Sequence, residues 1–334
     1  MISRHIVTGL SLAFALLSAA SASSSAETTI LNASYDVSRE LYKDIDPAFT
    51  AEWKQKTEED VSVKQSHGGS TKQARAVAEG LEADVVTLNQ PTDLDFLAKK
   101  GVINTDWRKQ FPHDAAPYTT TSVFLVRKGN PKAIKDWDDL IKSRVSVVIP
   151  NPKTSGNGRY TYLAAWGYAK EKFGSDEKAR DFVAKLFANV PVFDGGGRGA
   201  TTTFTQRGIG DVLVSFENEA ALIKAEVDGS NFEVVYPSLS IEAAPPVAIV
   251  RQVVDKRKTE KVAKAYLDFL YSDEAQQIIA KHHFRPQNAK ILKAAHFPEI
   301  RTFKVEDKIG PWAEVQKVHF SDGGIYDQIT ARQN

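Results

Sequence analysis

Residues 147–160, Val-Val-Ile-Pro-Asn-Pro-Lys-Thr-Ser-Gly-Asn-Gly-Arg-Tyr, constrain this chain more than any other stretch. The apolar β-branched run reads as a buried strand, Pro150 and Pro152 break it, and Ser155-Gly156-Asn157-Gly158 reads as a helix start. A fold that accepts this order sets the carboxyl end of a strand beside a helix N-terminus. There glycines admit a close ligand, and free N–H groups point outward beside the positive end of the helix dipole. Such a junction can hold an oxyanion. It is not a phosphate-binding loop of the Gly-Lys-Ser/Thr kind, because Lys153 precedes the serine. A plain strand-to-helix connection is the alternative.

The same order recurs along the chain. Strand-like runs lie at 29–33, 61–65, 83–88, 122–127, 145–149, 211–216, 232–236 and 247–251, with helical patterns at 38–56, 71–80, 160–173, 175–188 and 259–270. This alternation predicts an α/β fold of mostly parallel sheets flanked by helices. Ligands of such sheets sit beyond the carboxyl ends of the strands. Stiff, extended stretches near 114–121 and 241–246, the second carrying Pro245-Pro246, are read as crossings between two lobes. The expected division is 27–114 for the first lobe, 115–244 for the second, and 245–334 returning to the first with closing helices, the cleft between them.

Residues 1–26 have the order of a secretory signal: a short start with Arg4, an apolar run over 6–17, then small residues to Ala26. Cleavage is expected after Ala26, or after Ala22, and the apolar run is shorter than the roughly 20 residues a membrane span needs. The chain has no cysteine, which excludes disulfides, thiol catalysis and a lipidated cysteine. A periplasmic protein follows as the expectation. Formal charge is +1 for the full chain, so nucleic acid is not an expected partner.

Four strand ends are followed by small or turn-forming residues and then a helix pattern. They are Asn32–Asp36, Gln65–Ser70, the stretch at Ser155, and Asp194-Gly195-Gly196-Gly197-Arg198-Gly199-Ala200. Each alone could be ordinary N-capping. Together, on one cleft, they would offer many backbone donors and two serine hydroxyls to one small anion. Few charged residues stand near them, chiefly Asp36 and Arg198, while His67 reads as a hydrogen-bonding support and His282-His283 as structural. No spacing fits a zinc or EF-hand site, and no Gly-x-Ser-x-Gly elbow occurs. Ser70 and Ser155 have no evident His–Asp relay, so no catalytic residue, metal or cofactor is assigned. An exported hydrolase using these junctions as an oxyanion hole is the alternative from another class.

At these loops the sequence resembles the sulfate/thiosulfate-binding family of periplasmic ABC-importer proteins. The resemblance runs from Leu31-Asn32-Ala33-Ser34-Tyr35-Asp36 to Gly323-Gly324, through Gln65-Ser66-His67-Gly68-Gly69-Ser70, Pro150–Gly156, Gly208–Leu213 and Glu217-Asn218-Glu219. It implies the type II periplasmic binding protein fold, closing on a dianion and presenting it, as a monomer, to a membrane ABC permease. It also implies ligand donors at Ser70, Ser155, Gly156, Asn157 and Gly197, without a direct salt bridge. Asp36 and Arg198 would then hold the loops.

Two departures stand out. Before Glu217-Asn218-Glu219 the sulfate-selective branch carries a tryptophan whose indole N–H binds the anion, whereas this chain has Phe216, which cannot donate. An unreplaced charge-assisted hydrogen bond is worth about 1.5–3 kcal/mol. The Ser215-Phe216-Glu217 and Gly196–Phe204 wording is closer to the thiosulfate branch, and an aromatic face at Phe216 suits a softer terminal sulfur. The second departure, Asn157 where some relatives carry glycine, leaves a backbone N–H available. Donor-only junctions favour sulfate or thiosulfate over monohydrogen phosphate, which carries a proton and needs an acceptor. Asp36 could supply that acceptor if it faced the cleft. Molybdate would be excluded only by pocket size.

Overall fold

A computed structural model describes residues 27–225 and 229–331, and the expected signal segment 1–26 lies outside them. In chain order the strands are β1 Thr28–Tyr35, β2 Val61–Gly68, β3 Val85–Thr87, β4 Tyr118–Arg127, β5 Val147–Pro150 and β6 Phe193–Asp194. They continue as β7 Val212–Phe216, β8 Phe232–Val235, β9 Ser240–Ala243, β10 Val247–Ile249, β11 Arg285–Pro286 and β12 Thr302–Phe303. They build two sheets with helices packed against them.

The first sheet has the order β10-β3-β1-β2. β1 runs parallel to β2, from Thr28↔Val61 to Tyr35↔Gly68, and parallel to β3; β10 returns antiparallel. The second sheet has the order β12-β9-β4-β7-β5-β6, with β8 and β11 also on β4. Here β5 is parallel to β6 and β7, and the antiparallel pairings gather on the long β4. The first sheet thus draws on residues 28–87 and 247–249, the second on 118–243 with short additions at 285–286 and 302–303.

Each of the eight strand-like runs forms a strand. The four strands without such a run (β6, β9, β11 and β12) are two to four residues long, too short to show a period. The helix Arg39–Thr57 buries Tyr42, Ile45, Phe49 and Trp53 at helical spacing, and Phe49 meets Tyr266 edge-on at 5.1 Å. The helix Gly156–Phe173 is buried all round from Gly156 to Ala169, as an internal helix must be to bury so many aromatics. Gly167 makes that possible: a Cβ there would lie 2.1 Å from the Phe303 ring.

Candidate anion-binding site

Strand polarity gathers the candidate residues. β1 ends at Tyr35 before a tight turn, Asp36–Ser38; β2 leads into the helix Ser70–Ala78; β5 into Gly156–Phe173; and β6 into Gly197–Thr205. Parallel pairing within each sheet sends these carboxyl ends the same way.

The two sheets' junctions touch. A Cβ on Gly69 would lie 2.5 Å from the Thr154 carbonyl oxygen and 2.6 Å from that of Gly195. On Gly156 it would lie 2.2 Å from Asn89 Oδ1, on Gly196 2.3 Å from Asp36 Oδ2, and on Gly197 2.6 Å from Val37. Glycine at Gly69 and Gly156 is therefore required by close approach between the lobes rather than by backbone angle. Asn218 Nδ2 adds a long contact to the Val37 carbonyl at 3.5 Å, and Arg159 Nη1 donates to Thr92 Oγ1 at 3.2 Å. The lobes stand closed on one another.

The hydrogen bonds show which donors are free. Ser155 caps its helix, its Oγ accepting from the Gly158 N–H at 3.5 Å, and its own proton has no acceptor among the described residues. Gly156 and Asn157 occupy the first turn, where N–H groups have no intrahelical partner. The Asn157 side chain is occupied: Nδ2 donates to Ser215 Oγ at 3.3 Å and Oδ1 accepts from Thr161 at 3.5 Å. Ser70 differs from the expectation of a hydroxyl donor. Its Oγ donates to Asp93 Oδ2 at 2.6 Å and accepts from the Asn89 N–H at 2.9 Å, which leaves only the Ser70 backbone N–H for an anion. Gly197 opens its helix, with the Asn157 amide 3.4 Å from where its Cβ would be.

The charged neighbours face the loops. Asp36 Oδ2 accepts the Arg198 N–H at 3.1 Å. Burial raises the Asp36 carboxyl above its ordinary range, partly offset by that N–H and by the amides of Asp36 and Val37. Arg198 Nη1 lies 3.5 Å from the fully buried Glu219, which also accepts from Thr201 at 2.6 Å. The His67 ring is pushed down to about 4 by burial and by Arg39, so it is neutral near pH 7, and it stands on β2 opposite Ser34, two residues before Asp36.

Residues 31–285 match the family model for bacterial extracellular solute-binding proteins. The chain is 56% identical to the thiosulfate-binding protein of Pseudomonas aeruginosa, across 90% of this chain and 91% of that protein. It is 51% identical to the sulfate-binding protein of Escherichia coli K12, across 97% of this chain and 99% of that protein. This chain belongs to the sulfate/thiosulfate-binding family of bacterial extracellular solute-binding proteins. Among solved structures, the sulfate-binding protein SubI of Mycobacterium tuberculosis superposes with a TM-score of 0.80 at 31% identity, over 87% of this chain and 99% of that one. The two-lobed type II architecture expected for a member of this family is the one observed.

In this solute-binding protein Phe216 is fully buried at the end of β7, its ring edge-on to Tyr160 at 5.9 Å. The following Glu217 is also buried and is gripped by Arg285 at 2.7 Å and Tyr236 at 3.1 Å. A cavity of about 510 Å³ between Tyr160, Glu242, Pro246 and Trp312 is lined by none of Asp36, Ser70, Ser155, Gly156, Asn157 and Gly197. A small anion is held by a tight set of donors rather than by volume, and the helix-start N–H groups of the junctions are the candidate donors.

Sequence reasoning passed over Asn89 and Asp93. Both follow β3, where Leu88-Asn89-Gln90-Pro91 leads into the helix Pro91–Lys99, a fifth strand-to-helix junction. Its signal was Pro91 at the first helical turn. Asp93 accepts from Ser70, Thr71 and Gln90 and so fixes the start of the Ser70–Ala78 helix.

Proposed function

We propose that this protein captures thiosulfate or sulfate between its lobes and delivers the anion, from the periplasm, to an ABC permease for import. One observation carries the reading most: helix-start N–H groups at Ser70, Gly156, Asn157 and Gly197, with the Ser155 hydroxyl, gather where the lobes touch at Gly69, Gly156 and Gly197. All are donors. Asp36 Oδ2, on a carboxylate that a protonated phosphate could have used as an acceptor, already accepts the Arg198 N–H. The names of the relatives, thiosulfate-binding and sulfate-binding, support the same anions.

In this reading a monomer splits its donors between lobes, with Ser70 on 27–114 and Ser155, Gly156, Asn157 and Gly197 on 115–244. Only the closed form makes every contact, so the anion shifts the open–closed population. Burial of a dianion is tolerable only where each oxygen is hydrogen-bonded. Asp36, His67 and Arg198 hold the loops, and no residue acts on a bond of the ligand. Titration calorimetry of the mature protein with thiosulfate, sulfate, phosphate and molybdate tests this: binding of the sulfur oxyanions and not phosphate is expected, and binding of none would end the reading.

A further inference from the structure

Asn89 is 1% exposed, and both its Oδ1 and its Nδ2 lack a hydrogen-bond partner. Buried carboxamides are rarely left with both ends unpaired, and each such group asks for an explanation. Its backbone is not loose, since its N–H donates to Ser70 Oγ at 2.9 Å and that hydroxyl is fixed by Asp93 at 2.6 Å. The side chain lies against Gly156, close enough that a Cβ on Gly156 would stand 2.2 Å from Oδ1 and 2.7 Å from the Asn89 Cβ. The unpaired carboxamide therefore sits between two of the expected donors, one from each lobe.

We infer that Asn89 is itself a ligand-binding, specificity-determining side chain, its carboxamide N–H donating to the bound sulfur oxyanion and supplying the donor that Phe216 lacks. The inference rests on the reading of these junctions as a sulfur-oxyanion site. A dianion without protons accepts only, and the Asn89 carboxamide is a neutral side chain here with N–H groups still to give. Arg198 also has unpaired N–H groups at Nε and Nη2, but its guanidinium is drawn to Glu219. Gly156 is the complement of Asn89 across the lobes, because any side chain there would displace the carboxamide. Closure would bring the amide onto the anion at the same moment as the Gly156 N–H, which links binding to lobe contact.

The test uses the mature protein with Asn89→Ala and Asn89→Asp, titrated with thiosulfate, sulfate and phosphate at pH 7, with melting temperature as a check on folding. Asn89→Ala is expected to weaken both sulfur oxyanions at least tenfold while melting within a few degrees of wild type. Asn89→Asp, of nearly the same size, is expected to lose sulfur-oxyanion binding at pH 7 and to move the ranking toward phosphate, whose proton a carboxylate accepts. A residue that only spaces the lobes would weaken all anions alike and leave the ranking unchanged, which would overturn the inference. Wild type binding while Asn89→Ala binds both sulfur oxyanions within twofold would also overturn it, alone. Wild type binding neither anion would overturn the reading of the site beneath it.

Discussion

Asp36 Oδ2 accepts the backbone N–H of Arg198 at 3.1 Å, so a carboxylate at the end of β1 clasps the first turn of a helix in the other sheet's lobe. Burial raises this carboxyl, and the clasp is one of the interactions that return it toward the charged form. Asp36→Ala removes the acceptor and leaves the Arg198 N–H unpaired. Thiosulfate affinity is expected to fall at least tenfold, about 1.4 kcal/mol, by calorimetry, with Asp36→Asn between the two because it keeps an oxygen acceptor.

Gly69→Ala separates closure from folding. The Gly69 backbone, φ −56 and ψ 134, suits alanine, so neither lobe should be strained. The new methyl would press on the Thr154 and Gly195 carbonyl oxygens at 2.5 and 2.6 Å, contacts that exist only when the lobes meet. Expected is an unchanged melting temperature without anion, affinity reduced by about two orders of magnitude, and loss of ligand-induced compaction by small-angle scattering. Affinity within threefold of wild type would show that the lobes need not approach this closely.

Ser155 and Ser70 should respond differently. Ser155→Ala removes a hydroxyl proton that has no acceptor among the described residues, together with a long cap to Gly158. It should cost about 1.5–3 kcal/mol of anion binding and, with the cap so long, about 0.5–1 kcal/mol of stability. Ser70→Ala breaks the links to Asp93 and Asn89, both buried. Its larger effect should therefore be on stability, about 1–3 kcal/mol by urea denaturation.

Stability should also carry the titration of Asp46. Burial pushes its carboxyl up to about 6, against the lowering effect of hydrogen bonds from Tyr266 at 2.7 Å and Gln65 at 2.8 Å. The folded state then binds more protons than the unfolded state between about pH 4 and 6, so this contribution is fully present below about pH 4 and is lost as pH rises through 6. Replacing Asp46 by Asn removes the titration. The stability of wild type relative to Asp46→Asn should decline by about 2–3 kcal/mol from pH 4 to pH 7, measured by urea unfolding.

Much of the fold was legible because apolar strand-like runs alternate along the chain with amphipathic helical stretches, as β1, the Arg39–Thr57 helix, β2 and the Ser70–Ala78 helix show in turn. The junctions were legible because Gly69-Ser70, Ser155-Gly156 and Gly196-Gly197 announce themselves as helix starts. What the sequence could not carry was direction. Nothing local says that the Ser70 hydroxyl turns to Asp93, twenty-three residues on, or that Asp36 faces Arg198 across 162 residues. Asn89 stayed hidden for the same reason: its part depends on Gly156, which only the meeting of two lobes brings to it.

Phe216→Trp asks which anion the site prefers. Phe216 is fully buried against Tyr160, its ring centroid 5.9 Å away, so a larger indole must displace neighbours at about 1–3 kcal/mol of stability. The indole N–H restores a donor that phenylalanine lacks, and it takes from the ligand the apolar face suited to a terminal sulfur. The ratio of sulfate to thiosulfate affinity is therefore expected to rise at least fivefold in the variant, measured by paired titrations at one pH and ionic strength. An unchanged ratio in a folded variant would remove Phe216 from the basis of selectivity and leave the choice between these anions to the surrounding backbone donors.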